Sequence, residues 1–117
     1  MPNDPVQVTL LGEAAECADV GVIVWNEERR YVAVNPKACE LIGTTREQLL
    51  ASTVGSTNRS PEAKAAIDGI LDHVPARGSL TVTRPDGTHV ELEWVVFPTR
   101  VAGLEHVLGL FWDASSL

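Results

Sequence analysis

The stretch from Gly78 to Phe97, GSLTVTRPDGTHVELEWVVF, decides the fold. Leu80 and Val82 alternate with Thr81 and Thr83 as far as Arg84-Pro85-Asp86-Gly87, after which Val90, Leu92, Trp94 and Val96 alternate with Glu91 and Glu93. Alternation with period two marks a strand with one buried face, and a Pro that presets φ beside a Gly that tolerates φ > 0 is turn chemistry. The segment reads as one β-hairpin. Leu92 and Trp94 share a face, so an indole in mid-strand stands either in an ordinary core or on the wall of a ligand pocket.

Downstream, the chain turns through Arg100 to Glu105 and runs into HVLGLFWDA, His106 to Ala114. That run is apolar at both parities, with Val107, Gly109 and Phe111 on one side and Leu108, Leu110 and Trp112 on the other, so both faces are expected to be covered. Upstream, Ser60-Pro61-Glu62 opens a helix with an N-cap, Pro at its first position and an acid in its first turn. Pro75 keeps Val74 out of α geometry and ends this helix near His73. Ala51 to Arg59 is polar and contains Gly, which predicts a loop or a single 3₁₀ turn.

Earlier still, GVIVW (Gly21 to Trp25) and YVAVN (Tyr31 to Asn35) flank the charged link Asn26 to Arg30 and make a second hairpin. Asn35-Pro36 caps the short helix PKACELI, Gly43 stops it, and Thr44-x-x-Glu47 reads as a capping box opening TTREQLLA. Asp4-Pro5-Val6-Gln7 starts an amphipathic helix running to about Ala18, with Val6, Leu10, Ala14 and Cys17 on one stripe. Such a helix is either a flap over the sheet or a dimer contact and signal lever.

Composition narrows the function. A chain of 117 residues, 44% apolar, builds one domain around one core. A net charge of -7 with nine scattered Lys and Arg argues against a nucleic-acid partner. No apolar run reaches membrane-spanning length, and MPNDPVQ lacks a secretory signal's basic start and apolar segment, so no membrane contact and a cytoplasmic location are expected. Cys17 and Cys39 have no CxxC spacing and are expected as small buried hydrophobes. GxSxG, a Gly-rich phosphate loop and HExxH are all missing, Glu91 and Glu93 take the parity opposite to Trp94, and Asp72 and His73 are adjacent on a helix without sharing a face. Catalysis is not expected.

The element order is helix, strand, strand, three short helical pieces, then three strands. It gives an α+β fold: a five-stranded antiparallel sheet with helices on one face, residues 1–18 forming an N-terminal cap helix and 19–117 the main domain. GVIVWNEERRYVAVNPKACELIGTTREQLL, RPDGTHVELEWVVF and VLGLFWDAS together resemble a PAS domain, from about Ala18 to Ala114. Asn35-Pro36 opening the first core helix, the Asp86-Gly87 turn and Asp113 closing the last strand carry the resemblance. It implies a sensory and dimerisation module of a signalling protein, not an enzyme, whose second strand lies at one sheet edge with the first beside it.

The resemblance also frames the ligand. A flavin photoreceptor of this family carries a Cys within a GxNCRFLQ-like segment, and the matching GSTNRSPEA has none, so flavin is not expected. A haem-binding member needs an axial ligand, usually His, and the sequence offers His73, His89 and His106, the last two at strand starts. His73 stands in the last turn of the helix that the resemblance makes the other pocket wall. Ala66, Gly69 and Ile70 precede it there, and Leu92, Trp94, Val96 and Phe111 stand opposite. The resulting expectation is haem b with His73 as iron ligand, sensing a diatomic gas (O2, CO or NO) or redox state, with Trp94 donating to bound dioxygen and Arg77 and Arg84 pairing with the propionates. A His in the last turn of a helix reads equally well as a metal-free dipole partner. The alternatives are therefore a cofactor-free dimerisation or relay module, or a sensor of another small apolar ligand. On the other sheet face, Val95 and Phe97, joined by Trp112 or Phe111, need cover, which predicts a homodimer through that face with the helix from Asp4 to Ala18 taking part.

Overall fold

In the computed structural model, which describes residues 4–54, 56, 65, 68, 69 and 72–116, the central hairpin pairs without a break from Ala76↔Val96 to Thr83↔His89. Its turn closes with Arg84 N donating to Thr88 O (2.8 Å) and Gly87 N to Arg84 O (2.9 Å), and Gly87 takes φ 91°. Asp86 Oδ1 accepts from both the Thr88 N–H (2.9 Å) and its hydroxyl (2.7 Å). These bonds favour the ionised carboxylate and hold Asp86 below its ordinary pKa, the Thr88 hydroxyl contributing most.

Five strands, β1 (Gly21–Trp25), β2 (Tyr31–Val34), β3 (Ala76–Thr83), β4 (His89–Val101) and β5 (Leu104–Asp113), form one antiparallel sheet in the order β2-β1-β5-β4-β3. The second strand is at one edge with the first beside it, as the resemblance implies. The β4–β5 turn is shorter than expected. The ladder runs on to Val101↔Leu104, and Ala102 (φ 52°) and Gly103 (φ 79°) alone make the turn, because two left-handed residues match the right-handed twist of the strands they join.

Helices α1 (Pro5–Glu16), α2 (Pro36–Ile42) and α3 (Arg46–Leu50) and a 3₁₀ turn at Ala114–Ser116 complete the described elements. Of the helix expected from Ser60 to Val74, residues 60–64, 66, 67, 70 and 71 lie outside the described residues, while 65, 68 and 69 are helical. The capping box of α3 sits one residue later than expected. Thr45 is the N-cap, its hydroxyl accepting from Gln48 N (3.1 Å), and the Gln48 side chain reaches back to Thr45 N.

The inner face of the sheet carries the core, with α2 packed on β1 and β5 and α3 on β2, and Ile23, Trp25, Val34, Leu41, Leu49, Val82, Val90, Leu92, Val96 and Phe111 buried in it. Register decides which aromatic of β5 points inward: Phe111 pairs with Trp94 and is buried, whereas Trp112 lies opposite Glu93 on the outer face. Rings on the inner face lie across glycines of neighbouring strands. A Cβ on Gly21 would stand 2.6 Å from Phe111 Cζ, and one on Gly78 2.9 Å from Trp94 Cζ2.

Among the described residues one polar side chain, Asn35, is buried in this core, at 3% exposure. Its Oδ1 accepts from Val22 N and Ala38 N (both 2.9 Å), and its Nδ2 donates to Ala15 O (2.8 Å) and Val20 O (2.9 Å). The amide thereby uses all four of its hydrogen-bonding positions, tying the end of α1, the entry to β1 and the first turn of α2 together.

Helix α1 does not cover its own sheet. None of its twelve residues is buried, and Val6, Val8, Leu10 and Leu11 are 52% to 71% exposed. It is held at its C-terminal turn, through Ala15 O on Asn35 and through Glu16, both of whose carboxylate oxygens take Arg46 Nη2 at 2.7 Å. Arg46 is itself fixed by Nε donating to Val34 O (3.1 Å). Cys17, expected inside, is exposed because it caps this stand-off helix. Cys39 is partly buried against the core, and that burial pushes its thiol pKa up.

Two outcomes follow. Asn35→Ala strands four backbone groups and removes the α2 cap, and is expected to lower stability in urea unfolding by about 2–4 kcal/mol. Asp86 titrates in the opposite sense to a group with a raised pKa. Its contribution is complete above the unfolded value, about pH 4, and is lost as pH falls through the lower folded value. The stability difference between wild type and Asp86→Asn is therefore expected to shrink on acidification below about pH 4.

Candidate functional site

The expected site residues divide into two groups. Leu92, Val96 and Phe111 are 4% to 6% exposed on the inner face, and Trp94 packs partly buried against them. The structure brings these four together. Trp94 lies across Gly78, and its indole Nε1 is buried with no hydrogen-bond partner among the described residues.

His73 is not brought into this cluster. It is exposed, and its Nδ1–H donates to the Gly69 carbonyl at 3.0 Å. A carbonyl at a helix end has no partner within the helix, and a His four residues on is placed to supply one. This tautomer leaves a lone pair on Nε2, on an exposed ring. Gly69 is exposed as well, with nothing within 4 Å of where its Cβ would be. Ala66 and Ile70 lie outside the described residues.

The other residues expected around a haem are engaged elsewhere. Arg84 lies over Gly43 and donates from Nε to Leu41 O (2.9 Å), closing the C-terminal end of α2. Arg77 pairs with Val95 and so takes the outer face. His89 Nδ1 is 3.0 Å from Thr83 Oγ1, and His106 Nδ1–H donates to Leu104 O at 3.0 Å. Among the described residues no group of three or more His, Cys, Asp and Glu is placed to hold a metal ion. Among the described residues, the imidazole expected to bind iron is exposed and the indole expected to face it is partly buried.

Sequence reasoning missed Arg29. In the β1–β2 link it adopts φ 64°, rare for a residue with a side chain, its carbonyl accepts from Val54 N (2.8 Å), and its guanidinium reaches Asp68 (3.4 Å) and Asp72 (2.9 Å). It reads in the sequence as a solvated turn charge, and no local spacing announces partners about forty positions away.

The outer face is a second candidate surface. Register aligns Val22, Leu110 and Val95 in one row and Val24, Leu108 and Phe97 in the next, all only partly buried. Beside them a groove of about 820 Å³ runs over Trp112 and Val95 between Arg77 and the exposed Glu91 and Glu93.

A short-helix layer on one face of a five-stranded antiparallel sheet, with an apolar inner face and a flanking N-terminal helix, defines a small α+β module. Residues 16–117 match the model of the PAS fold family, and the chain belongs to that family. A domain of the sensory box sensor histidine kinase/response regulator from Geobacter sulfurreducens is 27% identical, covers 92% of this chain and 94% of its own, and superposes with a TM-score of 0.72. The PAS domain of a protein from Colwellia psychrerythraea reaches 0.80 at 14% identity, covering 95% and 99%. A PAS domain from a two-component sensor histidine kinase reaches 0.75 at 12% identity, covering 93% and 97%. At those lower identities the likeness is one of fold. Comparison with curated proteins gives no match. No helix among the described residues is long and apolar enough to cross a membrane.

Hemin added to the purified protein is expected to give no Soret band that depends on His73. Spectra of wild type and His73→Ala should coincide at every hemin concentration, and a band present in the first and lost in the second would restore the haem site.

Proposed function

We propose that this chain is the sensory PAS module of a signalling protein and that it acts as a homodimeric relay. The single observation that carries this reading is the exposed apolar surface of α1, with Val6, Val8, Leu10 and Leu11 in water on a helix that buries none of its residues. Leaving such side chains exposed is unfavourable by roughly 25 cal/mol per Å² of apolar area. The half-buried outer rows of Val22, Val24, Val95, Phe97, Leu108 and Leu110 need cover in the same way. A second copy supplies both surfaces at once.

The attachment of α1 suits a relay. Its C-terminal turn is fixed to Asn35 and Arg46, and those residues are fixed to β1, β2 and α2. A shift in the sheet therefore redirects the helix and changes the dimer contact, a small displacement amplified by a rigid lever. The similar structures, domains of sensor histidine kinases among them, support a place in signal transduction. Haem at His73 is not part of this reading, because the exposed ring bonded to Gly69 offers no apolar site for it.

Light scattering coupled to gel filtration is expected to show a dimer at micromolar concentration. Leu10→Glu, on a position 52% exposed in the single chain, should leave the melting curve of the fold intact while weakening the dimer by about tenfold or more, equivalent to about 1.4 kcal/mol. A wild-type protein that stays monomeric at about 100 times that concentration removes the proposal.

A further inference from the structure

The two edges of the sheet differ. Along β2 the chain covers its own edge: Tyr31 N donates to Ser52 O (3.2 Å), Val54 N to Arg29 O (2.8 Å), and Arg30 bridges Thr53. Among the described residues no segment does the same at β3. The turns at either end of β4 fix which backbone groups this leaves open. Arg84 N donates to Thr88 O, so the pairs in step with it, Val82 with Val90, Leu80 with Leu92 and Gly78 with Trp94, exchange hydrogen bonds. The residues between them, Arg77, Ser79 and Thr81, turn their N–H and C=O outward. The two-residue turn at Ala102 and Gly103 gives the same phase from the other side, since it commits Glu93, Val95 and Phe97 of β4 to β5. With no register shift, no Pro inside it and Arg77 as its one charge, β3 lacks most of the devices that keep other strands off an edge.

The outer face beside this edge is acidic. Arg77, Ser79 and Thr81 place their side chains there, opposite Val95, Glu93 and Glu91. Both glutamates are exposed and, among the described residues, pair with no cation. The groove of about 820 Å³ opens over them and over Ser79 and Arg77 toward the edge. A strand added beside β3 would lie about 4.8 Å from it and about 10 Å from β4. Across that distance a Lys or Arg side chain passes over the short Ser79 and Thr81 and meets an extended Glu. A second copy matches this edge poorly, because its β3 brings the single cation Arg77 and each chain has a net charge of -7. A cationic partner is attracted instead.

We infer that the β3 edge docks an extended segment of another protein as a sixth strand. Its backbone pairs with Arg77, Ser79 and Thr81, and Lys or Arg at alternate positions meets Glu91 and Glu93. This contact is separate from the proposed dimer, which uses α1 and the apolar rows of β1, β5 and β4.

The test uses the full chain and two end-blocked nine-residue peptides, one alternating Lys with Val and the other Glu with Val. In ¹H–¹⁵N titrations at low salt the Lys peptide is expected to bind about tenfold tighter or more. The amides of Arg77, Ser79 and Thr81 should exchange rapidly with solvent in the free protein and slow by about tenfold or more with the Lys peptide bound. Ser79→Pro removes an outward N–H and no bond to β4. It should keep the wild-type spectrum away from β3 while losing about tenfold in affinity for the Lys peptide. Glu91→Gln combined with Glu93→Gln should bring the two affinities together. Binding of neither peptide, equal affinities in wild type, full affinity in Ser79→Pro, a preference that survives both Gln substitutions, or amides of Arg77, Ser79 and Thr81 already slow in the free protein each overturns the site. The last of these is what a second copy on this edge would give. Light scattering on the same samples reports the dimer separately. A monomer that still prefers the Lys peptide sinks only the relay, and a dimer that binds neither peptide sinks only this site.

Discussion

The buried amide of Asn35 is the constraint on which the remaining architecture depends. A chain of this size has one core, and the three segments that enter it from the N-terminal side leave backbone groups facing one another where water is excluded. One side chain with two acceptor and two donor positions satisfies Val22 N, Ala38 N, Ala15 O and Val20 O together. No apolar residue can do this, and a residue with only one kind of hydrogen-bonding group meets half of it. Because α1 has no buried residue of its own, its direction relative to the sheet is set by this amide and by the Glu16–Arg46 pair.

The sheet then divides the molecule's work between its faces. Inward, rings lie on glycine backbones and pack against α2 and α3, and Trp94 keeps an unspent donor at the β3 edge. Outward, rows of half-buried Val, Leu and Phe continue across β1, β5 and β4 beside a polar rim. The two faces are coupled through β4 and β5, whose residues alternate between them. In a strand, one face cannot shift without moving its neighbours on the other.

Much of this was legible from local pattern. The alternation of Leu92, Trp94 and Val96 with Glu91 and Glu93 placed the hairpin, its faces and its Pro-Asp-Gly turn. Asn35-Pro36 and Gly43 bounded α2, and the family resemblance ordered the strands. What local pattern left open was where individual side chains end up. His73 followed the right periodicity for a pocket wall, but it satisfies the carbonyl of Gly69 in water. Arg84, expected beside a propionate, donates to Leu41 O at the end of α2, forty-three positions away.

By itself the sequence determined the strands, the Pro-Asp-Gly turn, the caps of α2 and the α+β class, because these rest on the geometry of a few neighbouring residues. Tertiary structure alone decided that α1 stands off its own sheet, that Phe111 and not Trp112 joins Trp94, and that the Trp94 indole nitrogen has no acceptor among the described residues. The physical reason is that satisfaction of a buried polar group and cover for an apolar face depend on what arrives from elsewhere in the chain, and no local period records that arrival.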